Sequence, residues 1–255
     1  RLQGELLSAG PVWAHAGSKC LLHGVEICLW GEQMTAIMGP SGSGKSMLMK
    51  ACSMRVDMGI KVAGTILFQG ERVATQDSVR AFLGRVGYVP QDVELCFLPT
   101  LTVAENLFYR AKMSSSLSST TGLFAAVSKA LQDFDLEKAA ETPAGSLSGG
   151  QQKRLALAGE CLHKPSVLFV DEPTSGLDAA SSLSLMRFLS KLAHDQQQQR
   201  AVVITIHQPR QEICELFDRM VIVAKGHIAA QGTPQEVLAS FSDDAQQRTR
   251  TPGRA

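Results

Sequence analysis

Gly39-Pro40-Ser41-Gly42-Ser43-Gly44-Lys45-Ser46 decides how this chain is read. The stretch fits the phosphate-binding pattern G-x-x-x-x-G-K-[ST] at every fixed position. Ahead of it, Met34-Thr35-Ala36-Ile37-Met38 reads as a short apolar strand; behind it, Met47 to Met54 reads as the start of a helix. That strand–loop–helix context is what the pattern requires. Glycines let the backbone approach phosphate oxygens and turn several N–H groups inward. The new helix points its electropositive end at the same anion. Lys45 adds a point charge at the β- and γ-phosphates, and the Ser46 hydroxyl is placed to ligate Mg²⁺. The expected phosphate-contacting set runs from Gly39 through Pro40, Ser41, Gly42, Ser43, Gly44, Lys45 and Ser46 to Met47.

Upstream, short strand-like runs dominate: Val12-Trp13, Cys20 to Leu22 and Val25 to Trp30, with Gly31-Glu32 as the turn into the loop strand. Downstream, Gly64 to Phe68 and Val86 to Val89 read as further strands, expected in an antiparallel flap beside the nucleotide core. From Thr102 the pattern turns helical, with Glu105 at capping-box spacing. Ser114 to Thr121 reads as an exposed Ser/Thr-rich loop, and Gly122 to Ala140 as helix again. A helix from Gly149 to His163 precedes Val167-Leu168-Phe169-Val170, a run apolar enough for a central parallel strand. Asp178 caps a helix with a Leu183, Met186, Leu189, Leu192 stripe. Gln196 to Gln199 suits a surface turn, and Ala201 to Ile206 a second buried strand. Met220 to Ala224 and Ile228 to Ala230 flank Gly226, and Thr233-Pro234-Gln235-Glu236 opens a last helix. The alternation predicts an α/β fold with a mainly parallel sheet. Residues 1–91 and 161–255 are expected to form the nucleotide-binding core with its flap, and 92–160 an inserted α-helical subdomain.

A phosphate loop alone says only that a nucleotide binds. Asp171-Glu172 narrows the reading, because this acidic pair ends an apolar strand where ligand sites of such sheets lie. Asp171 is placed to hold Mg²⁺, directly or through water; Glu172, one residue on, can face a water in line with the γ-phosphate as general base. Leu147-Ser148-Gly149-Gly150-Gln151 is a second helix opening with glycines and a capping hydroxyl. One nucleotide has no use for two such nests. The second is therefore expected to serve a nucleotide held by another copy, with ATP between two head-to-tail subunits.

The bulk numbers set limits. With 44% hydrophobic and 19% charged residues in 255, a packed core is expected rather than disorder. A net charge of +1 gives no overall field for nucleic acid, so no nucleic-acid partner is expected. Six scattered cysteines without a C-x-x-C pair read as buried or free thiols rather than a disulfide framework or a zinc site. No apolar run is long enough to span a bilayer. The chain begins at Arg1 and ends in an Arg/Thr-rich stretch, so it is expected to be a piece of something longer.

Leu147 to Gln151 resembles the signature motif of ATP-binding-cassette (ABC) proteins as it stands. Gln91, after Tyr88-Val89-Pro90, is similar to their Q-loop glutamine, Ser175-Gly176-Leu177-Asp178 to their D-loop, and His207 to their switch histidine, all in the family's order. Ile206-His207-Gln208-Pro209 and Leu98-Pro99-Thr100-Leu101-Thr102-Val103 resemble the G subfamily, the White-type transporters. Gln151, where many of that subfamily carry Glu, and a slightly longer stretch around Asp92 to Phe97 depart from its pattern. The resemblance implies an ABC-type P-loop NTPase core that hydrolyses ATP with Mg²⁺. It further implies that Gln91 contacts Mg²⁺ or the attacking water, and that Ser148, Gly149, Gly150 and Gln151 meet the opposite subunit's ATP. Asp178 would link the two sites, His207 would hold the γ-phosphate, and Trp13 would stack on adenine. As partners it implies a second nucleotide-binding domain, identical or not, and a transmembrane domain following in the same parent chain. The domain would then sit peripherally at the cytosolic face of a membrane, driving export of lipids, sterols or other hydrophobic compounds. Two other readings compete: a soluble ABC ATPase acting on DNA or ribosomes, and an unrelated P-loop kinase or GTPase. The first usually carries coiled-coil arms or two cassettes, and the second lacks its guanine-reading N-K-x-D here.

Overall fold

A computed structural model describes residues 4–113 and 119–249. The first two strands, β1 (Glu5–Ala16) and β2 (Lys19–Trp30), form a long antiparallel hairpin. β3 (Met34–Met38) leads through the phosphate loop into α1 (Lys45–Cys52). Next come β4 (Ile60–Ala63), β5 (Ile66–Phe68), β6 (Glu71–Arg72), α2 (Gln76–Leu83) and β7 (Val86–Val89). The helical block holds α3 (Val103–Met113), α4 (Thr120–Asp133) and α5 (Gly149–Cys161). The chain then alternates through β8 (Val167–Val170), α6 (Ala179–Ala193), β9 (Ala201–Ile206), α7 (Gln211–Cys214), β10 (Arg219–Ala224), β11 (His227–Gly232) and α8 (Pro234–Thr249).

Two sheets result. One is antiparallel, ordered β2-β1-β5-β6 with β4 also paired to β1. The other is ordered β11-β10-β3-β9-β8-β7, parallel except for the β10–β11 hairpin. Every residue of β7, β8 and β9 is buried, as parallel strands covered on both faces require. One apolar cluster joins the helical block to one side of the parallel sheet; the other fills the space between the two sheets around α1.

Three expectations need correction. Val86 to Val89 is not part of the antiparallel flap: it is the parallel edge strand beside β8, in register Val86 with Val167. Its four buried residues lie under α2 and α5, so both faces need apolar cover that a flap strand lacks. The upstream runs are not separate short strands but two of twelve residues each. Register shifts between Ala9, Val12 and Ala14 absorb Gly10 and Pro11 within β1. The expected loop from Ser114 to Thr121 lies outside the described residues over 114–118. Thr120 and Thr121 belong to α4, capped by Ser119, and that helix ends at Asp133 well short of Ala140. The helix α2 had no forecast; Thr75 and Ser78 cap it reciprocally, a Thr-x-x-Ser variant of the usual box. All six cysteines are free, and burial pushes the Cys52 thiol up to about 12. No described helix is long and apolar enough to cross a membrane.

Candidate functional site

Strand order assembles the site. The phosphate loop follows β3, His207 follows β9, Asp171-Glu172 follows β8, and Gln91 lies two residues past β7. These four strands are consecutive neighbours, so residues far apart in sequence share the carboxyl edge of one sheet, where such folds bind ligands. The register pairs Met38 with Ile206, Val170 with Ile204 and Val89 with Val170.

The loop is shaped by its glycines. Gly39 has φ +151° and lies so close to β10 that an added Cβ would stand 2.1 Å from the Val223 carbonyl oxygen. Gly44, at φ +110°, is the N-cap of α1 and provides no side-chain cap. The first N–H groups of that helix are thus left to an anion. Ser43 N–H donates to Pro40 O at 3.2 Å, and Gly226 N–H in the β10–β11 turn donates to Ser43 O at 2.8 Å. The buried Lys45 ammonium donates to Gly39 O at 3.0 Å and Pro40 O at 3.1 Å, which folds it back over the loop. The Ser43 hydroxyl is buried without a hydrogen-bond partner, an orphaned polar atom of the kind a phosphate oxygen satisfies.

The acidic pair is held by groups from two strands and a helix. Ser46 Oγ donates to Asp171 Oδ1 at 3.1 Å. Thr205 Oγ1 donates to the same oxygen, and Tyr88 OH donates to Asp171 Oδ2 at 3.4 Å. Burial, then the Asp171 charge, pushes the Tyr88 phenol well above its ordinary range, so it stays a donor. A hydroxyl and one carboxylate facing each other fit a hard cation such as Mg²⁺, which uses one or two carboxylates and takes its remaining oxygens from phosphates and water. Glu172 follows with φ +44°, unusual for a residue other than glycine, and its N–H donates to Thr205 Oγ1 at 2.8 Å. Glu172 is half-buried, while His207 and Gln91 are exposed at the ends of their strands.

The second nest is built differently. Ser148 is the N-cap of α5; its Oγ accepts from Gln151 N–H at 3.4 Å, and Gln151 Oε1 accepts from Ser148 N–H at 3.0 Å. Ser148 and Gly149 are exposed, and no heavy atom lies within 4 Å of a Cβ added at Gly150. Leu177 of the Ser175–Asp178 loop packs 3.4 Å from a Cβ added at Gly149. Asp178 caps α6, accepting from Ala180 N–H at 2.9 Å and Ser181 N–H at 3.0 Å, and its bond from the Ser181 hydroxyl holds its carboxyl below the ordinary range.

Trp13 is 42% exposed, packed edge-on to His23 with centroids 6.5 Å apart. His23 stacks on His227 at 4.4 Å, and its N–H donates to Gly226 O, which ties this aromatic group to the phosphate loop through the turn that grips Ser43.

Three residues of the site escaped the sequence reading. Thr205 and Tyr88 fix Asp171; the available signal was a lone hydroxyl residue in otherwise apolar strands. Lys153, on α5, is the third. Its ammonium donates to Ser175 O at 2.6 Å, Pro173 O at 2.7 Å and Glu172 O at 3.4 Å. Burial lowers its pKa to about 8, with the Glu172 charge pulling the other way.

The sequence matches the family described as "ABC transporter" over residues 22–175. It is 37% identical over 237 residues to Protein white of Drosophila melanogaster, which covers 89% of this chain and 33% of that protein. ABC transporter G family member 13 of Arabidopsis thaliana is 35% identical over 239 residues, 91% of this chain and 34% of that one. The chain thus spans about a third of the length of these relatives. Among solved structures, cbiO1 from Clostridium perfringens, described as part of the ABC transporter complex cbiONQ, superposes with a TM-score of 0.82 at 24% identity, over 98% of this chain and 97% of that one. An ATP-binding cassette in a dimeric, post-hydrolysis state bound to ADP and Pi superposes with a TM-score of 0.74 at 23% identity, over 89% and 98%.

Proposed function

The chain belongs to the ABC transporter family, as an ATPase domain similar to those of the G subfamily, and from that membership we propose that it pairs head-to-tail with a second such domain around two Mg·ATP. The observation that carries this reading is the contrast between the two nests. The base of the phosphate loop is packed into its own chain, with Ser43 and Lys45 buried and Gly39 against β10, while Ser148 and Gly149 are exposed and, among the described residues, the Ser148–Gln151 start shares no hydrogen bond with residues 39–46. A nest facing outward serves a nucleotide brought from outside.

Within one site, the backbone N–H groups of 39–46 and the Lys45 ammonium bind the β- and γ-phosphates. Ser46 and Asp171, with Gln91 reaching in from the end of β7, are the residues to hold Mg²⁺, which neutralises charge on those phosphates when bound. The Glu172 carboxylate accepts a proton from the attacking water as its oxygen bonds to γ-phosphorus and the bond to the leaving ADP oxygen breaks. His207 donates a hydrogen bond to the γ-phosphate oxygens. Across the pair, Ser148, Gly150 and Gln151 meet the same phosphates from the partner, and Asp178 lies where the two sites join. Trp13 offers its exposed ring to the adenine. Closing and reopening of the pair drives an attached membrane domain that moves lipids, sterols or other hydrophobic compounds, as a White-type transporter. The resemblance to White-type relatives supports that last step.

Replacing Glu172 with Gln tests this. It removes the base while leaving every phosphate contact, so turnover is expected to fall by about 10²- to 10⁴-fold with ATP affinity kept. In saturating Mg·ATP the variant should accumulate as a dimer by light scattering, measured in the longest natural chain that carries these residues. A variant that binds ATP but stays monomeric there overturns the shared-site reading.

A further inference from the structure

The Glu172 peptide is held at both ends. Its N–H donates to Thr205 Oγ1, and its carbonyl accepts from the Lys153 ammonium. The same ammonium takes the carbonyls of Pro173 and Ser175, so its three donors meet three acceptors. Lys153 is 7% exposed, and it lies deep beneath the carbonyls it binds. A small gap beside it is lined by Gln91, Val170, Asp171 and Pro173, so the lysine sits at the back wall of the catalytic edge without bonding to the phosphate loop.

This arrangement has a mechanical consequence. Glu172 occupies a positive-φ conformation, uncommon and somewhat strained for a non-glycine residue, and here the bonds to Thr205 and Lys153 hold it. The group that grips its carbonyl side comes from α5, two residues after Gln151. We infer that Lys153 is a positioning residue: it locks the backbone turn that aims the Glu172 carboxylate, and it makes that aim depend on the position of the Ser148–Gln151 helix start. The link between two nucleotides rests on the head-to-tail reading above, since only there does this helix start touch a different ATP from the one Glu172 serves. The locking of Glu172 stands within a single subunit.

Lys153→Met keeps the side-chain length and removes the donors, leaving buried carbonyls unpaired. Because no Lys153 atom bonds residues 39–46, ATP affinity by calorimetry is expected to stay within about twofold while kcat falls by about 10- to 100-fold, the scale of charged hydrogen bonds lost at a buried site. Lys153→Arg, which restores a buried cation with several donors, should recover a substantial part of the lost kcat. A kcat within twofold of wild type in Lys153→Met overturns the inference. So does a parallel loss of affinity, kcat and thermal stability that arginine does not rescue, since that describes fold support alone. Should Lys153→Met fail to fold, Lys153→Gln retains two donors and faces the same kcat-against-affinity criterion. Glu172→Gln separates the two claims. If it never dimerises, the shared-site reading fails, while a selective kcat loss in Lys153→Met still establishes the locking of Glu172.

Discussion

Two helices of this chain open on glycine-rich turns with opposite surroundings. At the start of α1 two of the three glycines are constrained: Gly39 abuts Val223 O and Gly44 takes a left-handed φ as N-cap, while Gly42 is open and no side chain caps the helix. At the start of α5 the glycines are loose, and Ser148 and Gln151 satisfy each other's backbone N–H groups. The first nest is preorganised by packing around Gly39, Ser43 and Lys45 and leaves the N–H groups at the helix start for an anion. The second caps itself, so an arriving phosphate must displace local hydrogen bonds before using the same N–H groups. In the proposed pair, the first nest would supply affinity within the chain, and the second a contact made and broken as the partner comes and goes.

Glycine substitutions test this difference most sharply. Gly39→Ala places a methyl against backbone in a conformation alanine resists, a cost of about 3 kcal/mol or more. Thermal unfolding should then shift down by roughly 6–12 °C, and an unshifted melting curve would mean the loop is not tightly enclosed. Lys45→Ala removes a charged donor from an otherwise intact loop and should weaken ATP binding by about 10- to 100-fold in calorimetry, roughly 1.5–3 kcal/mol. Gly150→Ala meets nothing within its own chain. Its melting temperature should hold or rise slightly, because alanine favours helix by about 0.5–1 kcal/mol. Turnover should nevertheless drop by about tenfold or more as the methyl intrudes on a phosphate brought by the partner. Normal turnover in that variant would place the second nest outside the catalytic contact. Ser148→Ala removes a cap and should cost about 1 kcal/mol of stability by denaturant titration, with ATP affinity of the isolated chain unchanged.

The smallest effect concerns the edge of the same sheet, away from both nests. His194 Nε2 lies 3.2 Å from Asp218, whose other oxygen accepts from Met34 N–H at the head of the loop strand. Partial burial works against the imidazolium, but the Ser190 carbonyl and Asp218 outweigh it and raise its pKa. A raised pKa means the stabilisation is complete below the unfolded value and fades as pH rises through the folded one. With the histidine 46% exposed, the pair is worth about 0.5 kcal/mol or less. The melting temperature should fall by roughly 1–2 °C more between pH 6 and 8 in wild type than in His194→Gln.

Several parts of this arrangement were legible without coordinates because they depend on local chemistry. The capping pairs Thr102–Glu105 and Thr233–Glu236 formed as their spacing demands. The phosphate loop fell between strand and helix, and the uniformly apolar runs at Val167 and Ala201 became central parallel strands. The failures came where a distant partner overruled the local signal. Val86 to Val89 has no feature of its own that separates a flap strand from a parallel edge; its neighbour β8 lies about eighty residues on and decides the matter. Gly10 and Pro11 are absorbed as a bulge because β2, β4 and β5 hold β1 along its length.

Sequence alone determined which groups could do chemistry here: an anion nest with its lysine and hydroxyl, an acidic pair at a strand end, and a second helix start opening on glycines and a capping hydroxyl. These follow from residue type and spacing, which fix backbone freedom, charge and donor geometry over a few residues. Only the tertiary structure decided which groups hold those residues in place, because Thr205, Tyr88 and Lys153 reach the acidic pair across strands and helices that no local pattern connects. A side chain's reach is a few ångströms in space, and chain folding alone determines which sequence positions fall within it.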